Sequence, residues 1–184
     1  MLREIGLTFT PRVSSVEKTM PQLPAGVHGR PGTHAVDLAC MKADDVGQRE
    51  KGSALIIAAD TIVVLGNRII GKPSDRKDAE KILRLLSGKT HRVVTGVCLL
   101  RIPGHQRLKF SVTTEVTMLR MSEGDIRWYV RTGEPMDKAG AYGIQGIGGI
   151  FVQKIKGSYT NVVGLPLPEL LMALKKLEAV EMVG

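Results

Sequence analysis

Apolar residues fall along the chain in blocks with two different periods, and the blocks alternate. Thr33 to about Val46 places Ala35, Leu38, Ala39 and Met41 on one side, the spacing of an amphipathic helix from which Lys42 emerges near the end. Ser53 to Leu65 is a continuous apolar, β-branched run, the pattern of a buried strand. Gly66-Asn67 predicts a tight turn back through Arg68-Ile69-Ile70, because both residues tolerate positive φ. Ser74 or Asp75 caps a helix running to Leu86, with Ala79, Ile82, Leu83 and Leu86 on one face and Gly88 suited to the left-handed position after it. Strands are predicted at 91–102 and 107–119, joined near Pro103-Gly104, with Thr113 to Thr117 alternating as a half-exposed strand does. Ser122-x-x-Asp125 has capping-box character and opens a helix through Arg131. A strand near 149–155 and an amphipathic helix from Pro168 to Leu177, with Leu170, Leu171, Leu174 and Leu177 inward, close the order. Strands and helices interleaved this way predict one α/β domain over residues 1–184.

Two places break the pattern, and both carry chemistry. Asp60 sits in the middle of the apolar strand run. A carboxylate there is costly unless paired, hydrogen-bonded or metal-bound. It is therefore the first candidate for function, against the plainer readings of a turn cap or a partner for a structural lysine. The second place is the stretch from Gly133 to Gly146, with its continuation from Gly157 to Pro166. Glycines at 140, 143, 146, 148 and 149 allow close backbone approach, while Asp137, Lys138 and Gln145 add an acceptor, a cation and an amide. That mixture suits a polar, phosphate-bearing small molecule. Asp137 and Lys138 read either as a second pair in a cleft or as an internal ion pair holding the glycine loop. Lys72, between Gly71 and Pro73, is a fixed point charge for phosphate or an ordinary loop lysine. Tyr159 reads as a base-stacking or a packing residue, Asn161 as a brace for its loop, and His91 as structural.

Composition narrows the class. The 184 residues are 43% hydrophobic and 24% charged, ordinary for a soluble globular chain. Asp60 interrupts the longest apolar run, and the opening residues lack a signal-peptide core, which points to the cytoplasm. Cys40 and Cys98 lack metal-ligand spacing and read as reduced core thiols. The net charge of +8 fits a polyanionic partner, either nucleic acid or a small phosphate compound, though the scattered basic residues read for the most part as a solvated surface. Three Phe, three Tyr and one Trp give few stacking platforms, which argues against single-stranded nucleic acid.

Taken together, Lys42-Ala43, Ala59-Asp60-Thr61, Gly71-Lys72-Pro73, Leu86-Ser87-Gly88, His91, Thr95-Gly96-Val97 and the two long glycine-bearing blocks resemble the Maf-like nucleotide pyrophosphatases. The resemblance runs from residue 1 to about residue 175. It implies an α/β mixed-sheet, two-lobed domain with a central cleft, a homodimer, and hydrolysis of nucleoside triphosphates to monophosphate and pyrophosphate with Mg²⁺ or Mn²⁺. Ala-Asp-Thr and Ile-Gln-Gly resemble the branch acting on dTTP, UTP and modified pyrimidine nucleotides, a housecleaning role. By this resemblance Asp60 is the proton acceptor, beside the metal. Lys42 and Lys72 neutralise phosphate charge, with Asp137 and Lys138 nearby. Thr61 and Gln145 read the base edge, and the family's acidic metal-binding position falls either on Glu17, shifted by one residue, or on Lys18 as a replacement. The family's usual opening, a short strand and a Ser-x-Ser-Pro-Arg-Arg phosphate loop, is not in this sequence. Met1 to Leu7 matches the end of the helix that follows it. Two other readings accompany this one: a non-catalytic nucleotide-binding relative, and a basic nucleic-acid-binding or division-associated protein.

Overall fold

The computed structural model describes residues 1–16, 30–104 and 106–179. Its centre is a five-stranded sheet: β1 (Ala54–Leu65), β2 (Arg68–Ile70), β3 (Thr90–Ile102), β4 (Arg107–Met118) and β5 (Val152–Lys156), in the order β2-β1-β3-β4-β5. All four ladders are antiparallel. The α/β class is as expected, but the mixed pairing is not found among the described residues. Two of the ladders follow from tight connections. The Gly66-Asn67 turn sets Leu65 against Arg68, and the turn at Pro103-Gly104 folds β4 back on β3.

Strand alternation divides the sheet into two faces. On one face lies α1 (Pro31–Gly47), which packs Val36, Ala39, Cys40 and Ala43 on Cys98 and Leu100 of β3, and Ala35 near Ile62, Val64 and Val94. The helix begins at Pro31, a position where a missing N–H is harmless. Ala35, Ala39 and Ala43 recur every fourth residue and are fully buried, so the helix backbone lies close on the strands. Met41, placed on the apolar side by its spacing, is instead 42% exposed, because the inward stripe runs through the alanines.

The opposite face carries two clusters. Val97 and Leu99 pack against Leu170, Ala173, Leu174 and Leu177 of the closing helix α5 (Leu167–Lys176) and the residue after it. The other cluster joins Val63, Ile70, Val93 and Val116 to α2 (Arg76–Leu86) and α3 (Glu123–Arg131). Asp75 caps α2 through the Asp78 N–H, and Ser122 with Asp125 forms a full capping box on α3. Gly88 takes φ +67°, as its place after α2 requires. A short helix, α4 (Tyr159–Val163), is capped by Ser158. The predicted strand at 149–155 begins only at Val152, since Ile147–Phe151 forms a 3₁₀ turn. The apolar run of β1 is fully buried only at Ile62, Val63 and Val64, because β2 pairs with that end alone. Among the described residues no helix is long and apolar enough to cross a membrane.

Candidate active site

Asp60 and Lys42 form the centre of the site. Lys42 Nζ donates to Asp60 Oδ1 at 2.7 Å, with the two side chains 16% and 15% exposed. The approach has a simple cause. Asp60 lies opposite Gly96 in the β1–β3 ladder. A Cβ at Gly96 would stand 2.1 Å from the Ala35 carbonyl carbon and 2.2 Å from the Val36 nitrogen. Only a glycine there lets α1 lie directly on β3, and two turns further along the same helix Lys42 reaches the carboxylate.

Thr61 follows Asp60 and therefore faces the other side of the sheet. Its hydroxyl is 2.9 Å from that of Thr95, its ladder partner, and Thr95 Oγ1 donates to the Asn161 carbonyl at 3.1 Å. Asn161 is fully buried, and its amide donates to Val93 O at 3.1 Å and to Thr114 Oγ1 at 3.0 Å. Asn161 lies inside α4 and not in a loop, and it ties that helix to β3 and β4. Tyr159 remains 48% exposed. His91 is buried and its Nε2 lies 2.8 Å from the Tyr142 hydroxyl. Burial pushes its pKa down to about 4.

A cavity of about 520 Å³ is lined by Asp60 and Thr61 together, so it reaches both faces around the edge of β1 beyond the end of β2. Lys42, Lys72, Asp137, Lys138 and Gln145 line the same cavity. The site residues read from the sequence are thus brought together, save Glu17, which lies outside the described residues. Gly140 N donates to Gly71 O at 3.1 Å, tying the loop of Lys72 to the glycine block. Lys138 Nζ bonds to Asp137, and this contact, assisted by the charges of Lys138 and Lys72, holds the Asp137 carboxyl below its usual range. The pair is largely solvated rather than internal, with the Asp137 side chain 76% exposed. A larger hollow of about 830 Å³ lies between Leu7–Ser14 and Ala54–Ala59; of the candidate residues it touches only Lys42.

One residue of the cavity wall escaped the sequence reading. Glu134 accepts from the Tyr129 hydroxyl at 2.8 Å, from Ile147 N at 2.8 Å and from Gly148 N at 2.9 Å. Burial pushes its carboxyl up, but those three donors and the charge of Lys138 outweigh burial and hold it below the usual range. The available signal was a carboxylate at a Gly-x-Pro turn shortly before a run of glycines whose N–H groups need acceptors.

Among the described residues no group of three His, Cys, Asp or Glu could hold a metal unaided. Among the described residues the wall offers hard oxygen donors from Asp60 and Asp137, beside Lys42, Lys72 and Lys138, while the Glu134 carboxylate is taken up by its three donors. The donor set fits a hard divalent cation of the kind that binds through one or two carboxylates plus substrate phosphates.

Fold and site thus define an α/β protein whose antiparallel sheet carries a cavity lined by lysines and carboxylates. The family model described as Maf-like protein matches residues 1–177. The dTTP/UTP pyrophosphatase of Clostridium botulinum (strain Alaska E43 / Type E3) is 50% identical over 140 residues, 76% of this chain and 74% of that protein. The dTTP/UTP pyrophosphatase of Bacillus cytotoxicus is 42% identical over 179 residues, 97% of this chain and 90% of that protein. That of Bacillus anthracis is 43% identical over 176 residues, 96% and 88% of the two chains. The chain belongs to the Maf-like protein family.

Proposed function

We infer that the protein hydrolyses dTTP and UTP to the nucleoside monophosphate and pyrophosphate. The observation that carries this reading is the Lys42–Asp60 pair, 2.7 Å apart at the wall of a cavity that also holds Lys72, Thr61 and Gln145. Lys42 fixes one carboxylate oxygen of Asp60 and leaves the other for the attacking water. As the water oxygen bonds to phosphorus and the α–β anhydride bond breaks, the water proton passes to Asp60 and pyrophosphate leaves with the electron pair. Lys42 and Lys72 offset the charge of the phosphate chain. Thr61, its hydroxyl fixed by Thr95, and Gln145, whose amide both donates and accepts, meet the pyrimidine edge. A divalent cation, held by Asp60 with Glu17 and the substrate phosphates, supplies charge neutralisation when bound. The same reading carries a homodimer in the cytoplasm with a role in clearing nucleotide pools.

The test is pyrophosphate release from dTTP, UTP, CTP and 7-methyl-GTP with Mg²⁺ or Mn²⁺. The wild type turns over dTTP and UTP, and Asp60→Asn loses about a hundredfold or more in kcat while its thermal unfolding stays cooperative. Full activity in Asp60→Asn refutes the assignment of the proton acceptor. A wild type that binds nucleotide and releases no pyrophosphate refutes the hydrolytic reading.

A further inference from the structure

We propose that Glu134 is a positioning residue for base selectivity: with Tyr129 it clamps the glycine turn 143–149, and the clamp fixes Gln145 against the cavity. The inference rests on the reading that Gln145 meets the pyrimidine. Tyr129 is fully buried on α3, and its hydroxyl donates to Glu134 Oε1 while accepting from Gly143 N at 3.1 Å. Glu134 in turn takes the N–H groups of Ile147 and Gly148. The turn is therefore held on both sides of Gln145, at 143 and at 147–148, by two side chains bonded to one another.

The glycines are shaped to this clamp. A Cβ at Gly146 would stand 2.3 Å from Glu134 Oε2, and one at Gly148 would stand 2.3 Å from the Tyr129 hydroxyl. With Gly143, Gly146 and Gly148 fitted round the clamp, the side chains this turn presents to the cavity are those of Ile144 and Gln145. Glu134 lines the cavity too, yet it already accepts three hydrogen bonds. Its carboxylate serves as a fixed acceptor for the turn, and its contribution to substrate recognition passes through Gln145.

The experiment compares wild type, Glu134→Ala, Glu134→Gln and Tyr129→Phe. Readouts are kcat and KM for dTTP and CTP, inhibition by inorganic tripolyphosphate, which has no base, and amide hydrogen exchange across 143–149. Loss of charge-assisted bonds at Ile147 and Gly148 raises their exchange in Glu134→Ala by about tenfold to a hundredfold. The KM for dTTP rises by a similar factor, the dTTP-over-CTP preference falls towards one, and tripolyphosphate inhibition stays within about threefold of wild type. Glu134→Gln, which keeps an acceptor, lies between the two, and Tyr129→Phe moves the preference in the same direction. Were Glu134→Ala unfolded, the Glu134→Gln and Tyr129→Phe proteins carry the same readouts.

An active Glu134→Ala enzyme with unchanged dTTP-over-CTP preference overturns the proposal. So does an equal loss on both nucleotides with weakened tripolyphosphate inhibition, which would place Glu134 at the phosphates or the metal. Unchanged exchange at 147–148 overturns the clamp whatever the activity. A wild type with no turnover of any nucleotide is a different result: it refutes the proposed function and withdraws the selectivity inference with it.

Discussion

Gly96→Ala isolates the feature on which the Lys42–Asp60 pair depends. The new methyl would lie 2.1 Å from the Ala35 carbonyl carbon, 2.2 Å from the Val36 nitrogen and 2.3 Å from the Ala35 carbonyl oxygen, all backbone atoms. Backbone cannot rotate aside as a side-chain end can. Ordinary contact needs about 3.5 Å or more, so α1 must retreat by about 1 Å or more. Overpacking of this kind costs about 1–3 kcal/mol, and three backbone contacts put this case near 3. For a chain of this length that lowers Tm by about 6–12 °C. The same retreat pulls Lys42 from Asp60, and a misplacement of about 1 Å can cost about a hundredfold in rate. The assay pairs thermal unfolding with kcat/KM for pyrophosphate release from dTTP. Gly47→Ala is the control, because the nearest atoms its Cβ would meet are the flexible ends of Leu100, Ile102 and Ile56; it stays within about 1 kcal/mol of wild type. Wild-type Tm and wild-type kcat/KM in Gly96→Ala would refute the close-approach argument. A lower Tm with unchanged kcat/KM would separate the packing from the pair and refute the second half alone.

His91 gives a prediction with pH. Burial holds its folded-state pKa at about 4, whereas the unfolded imidazole takes a proton below about 6.5. Between those values the unfolded state binds more protons, so stability is complete above pH 6.5 and falls as pH drops towards 4, by about 3 kcal/mol in total. Tm measured from pH 7 to pH 4.5 therefore declines less in His91→Gln than in wild type, and parallel curves would contradict the assignment. Asn161→Ala removes a fully buried amide that serves Val93 O and Thr114 Oγ1. It lowers stability by about 2–3 kcal/mol, read as a shift in the midpoint of urea unfolding; a shift too small to resolve would argue that water replaces the amide.

Much of this architecture could be read before any coordinates. The caps at Asp75 and Ser122, the left-handed Gly88 and the Gly66-Asn67 turn are local signals, and local chemistry settles them. Asp60 stood out because a carboxylate in an apolar run needs a reason. What stayed hidden depends on contacts distant in sequence. Gly96 was legible as part of a motif, but its purpose lies in the backbone of residues 35 and 36, about 60 positions away. Met41 followed helical spacing, yet the sheet selected the alanine stripe beside it. The strand expected from residue 149 is delayed because Glu134 captures N–H groups at 147 and 148, which closes that segment into a 3₁₀ turn. Glu134 itself reads as an ordinary surface acid until the turn folds over it.

β3 connects more of the site than its apolar sequence suggests. Gly96 admits α1, Thr95 holds Thr61 and Asn161, Val93 receives the Asn161 amide, and His91 meets Tyr142 of the glycine block. Substitutions along this strand therefore act on shared partners and not on independent ones. Pairs such as Thr95→Val with Asn161→Ala should depart from additivity in a double-mutant cycle, as residues in one hydrogen-bond network do. The strand's tolerance of change is in that sense a collective property: what one position accepts depends on what its neighbours two residues away already hold.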